Sequence, residues 1–153
     1  MELDAENEFL LYLINTLFNE CGDELINDIS IVENRVIPTD FLDQKSCEVD
    51  LRAKNSEDMA FIVEVQQKDQ YYYRRRSFHY IMSLLTHSVK KGKLPEVKPH
   101  VLIGILGFEF CKESEVNGRF NMTETTYTQC EYTDLLRIYT FDLVKLRTET
   151  KVS

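Results

Sequence analysis

The stretch CEVDLRAKNSEDMAFIVEVQ, residues 47–66, decides how the chain is read. Its first seven residues alternate strictly, with Val49, Leu51 and Ala53 on one side and Glu48, Asp50 and Arg52 on the other. That is the period of a half-buried strand. Asn55 to Asp58 is rich in turn formers, and the apolar run from Met59 turns polar at its far end, at Glu64 and Gln66. Two such runs around a short turn specify an antiparallel hairpin. Within it Glu64 and Gln66 share one face, Val63 and Val65 the other, and pairing brings Asp50 beside Glu64.

Upstream, EFLLYLINTLFNECG (8–22) repeats Phe9, Leu10, Leu13, Leu17 and Phe18 at helical spacing, with Gly22 where a helix C-terminus is expected. DISIVENRVIP (28–38) reads as one strand ended by Pro38, followed by a polar connection from Thr39 to Lys45. Downstream, YYYRRRSFHYIMSLLTHSVKKG (71–92) places Phe78, Ile81, Met82, Leu85 and Val89 on one helical stripe and ends in Lys90, Lys91 and Gly92. HVLIGILGFEF (100–110) is a strand of the kind covered on both faces. Cys111 to Tyr132 reads as loop or hairpin, and LLRIYTFDLVKL (135–146) as a last strand. The order combines hairpins with a crossover helix, which predicts an α/β protein with a mixed sheet flanked by helices.

The composition allows this. A chain of 153 residues suits one domain, 1–153, and buries roughly 70% of its unfolded surface on folding. The net charge of −8 argues against nucleic-acid binding by bulk charge. It is unevenly spread, however. Residues 1–65 carry 4 basic and 16 acidic groups, and residues 66–100 carry 8 and 2, so a basic block stands inside an acidic protein. Cys21, Cys47, Cys111 and Cys130 lack the short paired spacings of zinc sites. The N-terminus has no secretory pattern, and the longest apolar run, Val101 to Phe108, is too short for a membrane span. The expectation is an intracellular, cytoplasmic protein with no membrane association.

The chemistry lies in the hairpin. Two carboxylates on adjacent strands repel and raise each other's pKa, and a divalent cation resolves the conflict. Mg²⁺ takes one or two carboxylates with waters and phosphate oxygens, so Asp50, Glu64 and the backbone carbonyl of Val65 form a candidate ligand set. The bland alternative is a solvated polar face of a hairpin. Arg74, Arg75 and Arg76 oppose the dipole of the helix they begin, which mildly favours an anionic partner. Tyr71, Tyr72 and Tyr73 suit half-buried packing better than base stacking, and His79 and His87 suit packing or surface roles.

Asp50, then thirteen residues, then Glu64-Val65-Gln66 resembles the bipartite signature of the PD-(D/E)XK nuclease superfamily. With LINTLF, VDLRA, FIVEVQ, RRRSFHY, KKGKLPEVKPHVLIGILGF and FDLVK in order, the chain resembles the PD-(D/E)XK transposases, also called recombination-promoting nucleases. The resemblance runs from about Glu6 to Lys145 and implies a restriction-endonuclease-like αβββαβ core. It implies a Mg²⁺- or Mn²⁺-dependent DNA endonuclease, located at the nucleoid or nucleus when bound to DNA. Asp50 and Glu64 would be the metal carboxylates, and Gln66 would stand where the superfamily usually has lysine. Arg76 and Tyr80 match the family's R-x-x-x-Y, and with Lys90, Lys91 and Lys93 they become the DNA-binding candidates. A homodimer is compatible with this reading. The first helix of the superfamily often adds an acidic residue, and here Glu6 and Glu8 stand at its start. Val49 replaces the proline of the superfamily name, and the chain reads as shorter than the family at both ends. An inactive remnant serving as a binding or dimerisation module is the alternative.

Overall fold

The structure, a computed structural model, describes residues 4–37, 47–69, 71–91, 93–113 and 115–152; the side chains of residues 47, 91 and 150–152 are outside that description. The expected connection from Thr39 to Lys45, together with Pro38 and Gly92, lies outside the described residues.

The first helix, α1 (Ala5–Glu20), starts where the Asp4 side chain accepts the Asn7 N–H. It ends where Gly22 takes a φ of 76° and Asp23 N–H bonds back to Phe18 O at 2.8 Å. This left-handed turn is open to glycine without a Cβ penalty, and it fixes where Asp23 points. Next come β1 (Ser30–Val32), β2 (Val36–Ile37), β3 (Cys47–Glu48), β4 (Leu51–Lys54) and β5 (Ala60–Gln66). Helix α2 (Tyr73–Lys91) crosses over to β6 (His100–Leu106), and the chain finishes with β7 (Asn117–Thr123), β8 (Glu131–Asp142) and α3 (Leu143–Val152).

Six strands form one mixed sheet in the order β1-β4-β5-β6-β8-β7, with β5–β6 and β6–β8 parallel and the other pairs antiparallel. The alternation in β5 divides the core. Phe61 and Val63 pack with Leu10, Ile14, Leu17 and Phe18 of α1, while Ile62 packs with Ile81 and Leu84 of α2. Burying side chains of this size contributes roughly 1.5–3 kcal/mol each. Because Glu64 and Gln66 continue the Ile62 row, their side chains are delivered to the α2 face. No helix among the described residues is long and apolar enough to cross a membrane.

Four expectations need correction. The alternating run 47–53 is not one strand: β3 pairs with β2 in a separate two-stranded sheet, and β4 begins only at Leu51. Val49 consequently packs on the α2 side with Ile62, opposite to Leu51 and Ala53, and its N–H donates to Arg35 O at 3.0 Å. DISIVENRVIP is likewise divided between β1 and β2. In the last segment the strand stops at Asp142, whose Oδ1 accepts the Lys145 N–H at 2.9 Å and starts α3. Finally, α2 buries Tyr73, Ser77, Ile81 and Leu84, which rotates the expected stripe and leaves Phe78 47% exposed. The 111–132 region resolves into the β7–β8 hairpin.

Candidate active site

The β4–β5 ladder pairs Leu51 with Val63 and goes no further. One residue before it, Asp50 sits in a bend, and its Oδ2 accepts the N–H of Val65 at 2.8 Å. A side-chain carboxylate thus replaces the next rung of the ladder. In a strand the N–H and C=O of one residue point to the same edge, so the Val65 carbonyl also faces the side where Asp50 stands. Gln66 faces the other edge, and its carbonyl accepts the Gly107 N–H at 2.8 Å.

Glu64 is 7% exposed and its carboxyl stands close enough to Asp50 for the two acids to interact, so the neighbours expected from the sequence are brought together. Burial, followed by the adjoining Asp50 carboxyl, pushes the Glu64 carboxyl from 4.5 up to about 8. The Arg76 charge and a backbone hydrogen bond with Asp50 pull the other way by less. Glu64 Oε1 is buried and has no hydrogen-bond partner. A buried, unsatisfied carboxylate oxygen against a second carboxylate is what a hard cation would compensate. With the Val65 carbonyl, this donor set fits a divalent ion of the Mg²⁺ type. Among the described residues no group of three or more His, Cys, Asp or Glu side chains could hold a metal. Glu6 of α1 and Asp50 both line an apolar groove of about 630 Å³ on the opposite face, alongside Val65.

Gln66 is held at both ends, with Arg76 Nη2 donating to its Oε1 at 2.9 Å and its Nε2 donating to Lys68 O at 3.0 Å. One amide hydrogen and one lone pair remain. Arg76 therefore stands at the Asp50–Glu64–Gln66 cluster. Tyr80, one turn further along α2, packs against the Ile62–Ile81–Leu84 cluster. Lys90 lies fourteen residues beyond Arg76 on the same helix, about 21 Å away along its axis. Lys93 follows exposed after α2, and Lys91 closes the helix with its side chain outside the described residues. The basic candidates thus divide between the two ends of α2.

Two further residues belong to the site: Gly104, which the sequence reading missed, and Tyr73, which it expected only to pack. Tyr73 is 4% exposed, and burial followed by the Glu64 charge pushes its phenol up to about 12, which keeps it a neutral donor. Gly104 pairs with Glu64 across β5–β6, and a Cβ there would lie 2.5 Å from the Tyr73 hydroxyl. The available signal was a glycine in the middle of the apolar run HVLIGIL. Tyr71 and Tyr72 are 82% and 66% exposed and meet edge to face at 5.0 Å, so only the third tyrosine of the run packs inward as expected.

A family model described as PD-(D/E)XK nuclease family transposase matches residues 2–152. No curated protein and no solved structure matches the chain.

Proposed function

Because the chain belongs to the PD-(D/E)XK nuclease family transposases, we propose that it is a divalent-metal-dependent DNA endonuclease that hydrolyses phosphodiester bonds, with Asp50, Glu64 and Gln66 as its catalytic residues. The observation that carries this reading is the buried Glu64 oxygen left without a partner beside Asp50. Asp50, Glu64 and the Val65 carbonyl would hold Mg²⁺ or Mn²⁺, which when bound acidifies water and offsets phosphate charge. Asp50 is fixed for this by the Val65 N–H. Gln66, oriented by Arg76 and Lys68, uses its remaining N–H and lone pair to place the attacking water. Arg76 supplies the positive charge that Gln66 cannot, and it stabilises charge building on the phosphate. Arg76, Tyr80, Lys90, Lys91 and Lys93 would contact DNA, with the lysines taking backbone phosphates away from the reacting one. Binding of that kind is salt-sensitive and largely independent of sequence.

A plasmid-nicking assay with Mg²⁺ tests this. Wild type is expected to nick, and Asp50→Ala and Glu64→Ala to lose activity; wild type no better than either variant sinks catalysis. One observation favours the second reading, a non-catalytic module: Gln66 presents no cation where the superfamily usually has lysine, and its amide is already bonded at both ends. Calorimetry separates the two, since a dead site shows no Mn²⁺ or Mg²⁺ uptake that depends on Asp50.

A further inference from the structure

Between α2 and the β6–β8–β7 half of the sheet lies a largely apolar cavity of about 330 Å³, at the small end of ligand pockets. Its floor includes Gly104 and Thr140. Gly104 pairs with Glu64 across β5–β6, and Thr140 pairs with Gly104 across β6–β8. The floor therefore continues the Glu64 row by one and two strand spacings, about 5 and 10 Å. Tyr73 belongs to both places, as a wall of the cavity and as a buried neighbour of Glu64.

Three phenylalanine rings, with Leu102 and Ile138, line the rest. Phe78 on α2 and Phe120 on β7 are 47% and 37% exposed, so the protein leaves them open. Phe110 meets Phe120 edge to face at 5.6 Å, and the Arg74 guanidinium lies 3.7 Å from its centroid. Arg75 completes a cationic rim, and no acidic side chain among the described residues lines the cavity. Open aromatic faces beneath a purely cationic rim complement a flat apolar group carried on an anionic backbone.

We propose that this cavity receives one unstacked nucleobase of the DNA strand whose phosphate lies at Asp50 and Glu64, an inference that rests on the nuclease reading. Phe78 and Phe120 flank the base, Arg74 and Arg75 hold the phosphates beside it, and the Thr140 hydroxyl can meet a base edge. Extruding a base is least costly at a mismatch or in single-stranded DNA. Substrates with a locally unpaired base are therefore preferred over perfect duplex.

The test compares a matched duplex with one holding a single mismatch next to 2-aminopurine, by anisotropy and fluorescence in Ca²⁺ buffer. Wild type is expected to bind the mismatched duplex roughly tenfold more tightly and to brighten the probe. Phe78→Ala and Phe120→Ala, each checked by thermal melting, should bind matched duplex as wild type does and lose both effects. An abasic site in place of the unpaired base should remove the preference without altering the protein. Equal binding of the two duplexes by wild type overturns the proposal and leaves the cavity to a protein ligand. A preference that survives both substitutions overturns it as well. Cleavage is not part of this readout. A protein that shows the preference without ever nicking loses the nuclease reading alone, and one that nicks without the preference loses the base pocket alone.

Discussion

The Oδ2 of Asp50 accepts the backbone N–H of Val65 at 2.8 Å, so the hairpin's ladder ends in a carboxylate rather than a peptide. This contact breaks the predicted strand at Asp50 and directs the acid toward Glu64. Local structure and candidate chemistry therefore have one origin, and the cost falls on Glu64, which is buried with one oxygen unpaired.

That cost appears in the pH dependence of stability. The Glu64 carboxyl is raised from 4.5 to about 8 on folding, so the folded state favours its neutral form. Its contribution is complete below pH 4.5 and is lost as pH rises through about 8. At about 1.4 kcal/mol per pKa unit, the loss amounts to several kcal/mol. Metal-free wild type is expected to melt lower at pH 9 than at pH 6, and Glu64→Gln to flatten that difference. An identical pH profile for the two proteins would count against the shift.

Arg76 holds the Gln66 amide at 2.9 Å and lowers the cost of charge on Glu64. Arg76→Ala should reduce nicking about 100-fold, comparable to losing one preorganised donor. Metal uptake measured by calorimetry should change far less, because the carboxylates remain. Arg76→Lys restores charge without the planar fork and should recover only part of the rate. Full recovery with lysine would show that charge alone matters.

Gly104 and the Tyr73 hydroxyl occupy almost the same space, with only 2.5 Å between that oxygen and an added Cβ. Gly104→Ala must displace the buried tyrosine, and overpacking of this kind costs about 1–3 kcal/mol. Tyr73→Phe removes the clashing oxygen, so the double variant should be more stable than the sum of the single losses predicts. Chemical denaturation of all four proteins measures this coupling. Additive losses would place the strain elsewhere.

Much of this was legible in residues 47–66. Period-2 alternation in β5 puts Glu64 and Gln66 on one face, and Asp50 does stand beside Glu64, although the ladder stops at Leu51 and Val63, one residue short of that pair. What alternation could not show is that a short acidic side chain competes with the backbone for the Val65 N–H and ends the strand. The same limit applies at Asp142, where an N-cap looks like another strand residue until its side chain turns back to the Lys145 N–H. On α2, apolar spacing favoured Phe78 over Ser77, yet the sheet takes the smaller side chain and Ser77 Oγ bonds to Tyr73 O at 2.8 Å. Periodicity records how apolar residues are spaced, not the room the opposing layer leaves.

Far from the site, Asp23 links the end of α1 to the last hairpin. Its Oδ2 accepts Arg119 Nε at 2.7 Å and the Tyr139 hydroxyl at 2.5 Å, across 96 and 116 residues of sequence. Tyr139 is fully buried against Phe18, with ring centroids 4.9 Å apart, and its phenol is pushed up to about 12 by burial and then by Asp23. Removing the carboxylate by Asp23→Ala leaves a buried hydroxyl and a half-buried guanidinium without their acceptor. The expected loss is about 3 kcal/mol, near the cost of stranding one member of a buried charged pair. Arg119→Ala alone should cost less, since Tyr139 still satisfies Asp23, and Asp23→Ala with Tyr139→Phe should be less harmful than the sum of the two. Urea titrations of the single and double variants check this. A strictly additive result would mean that the α1 turn and the last hairpin are stabilised separately, despite sharing this carboxylate.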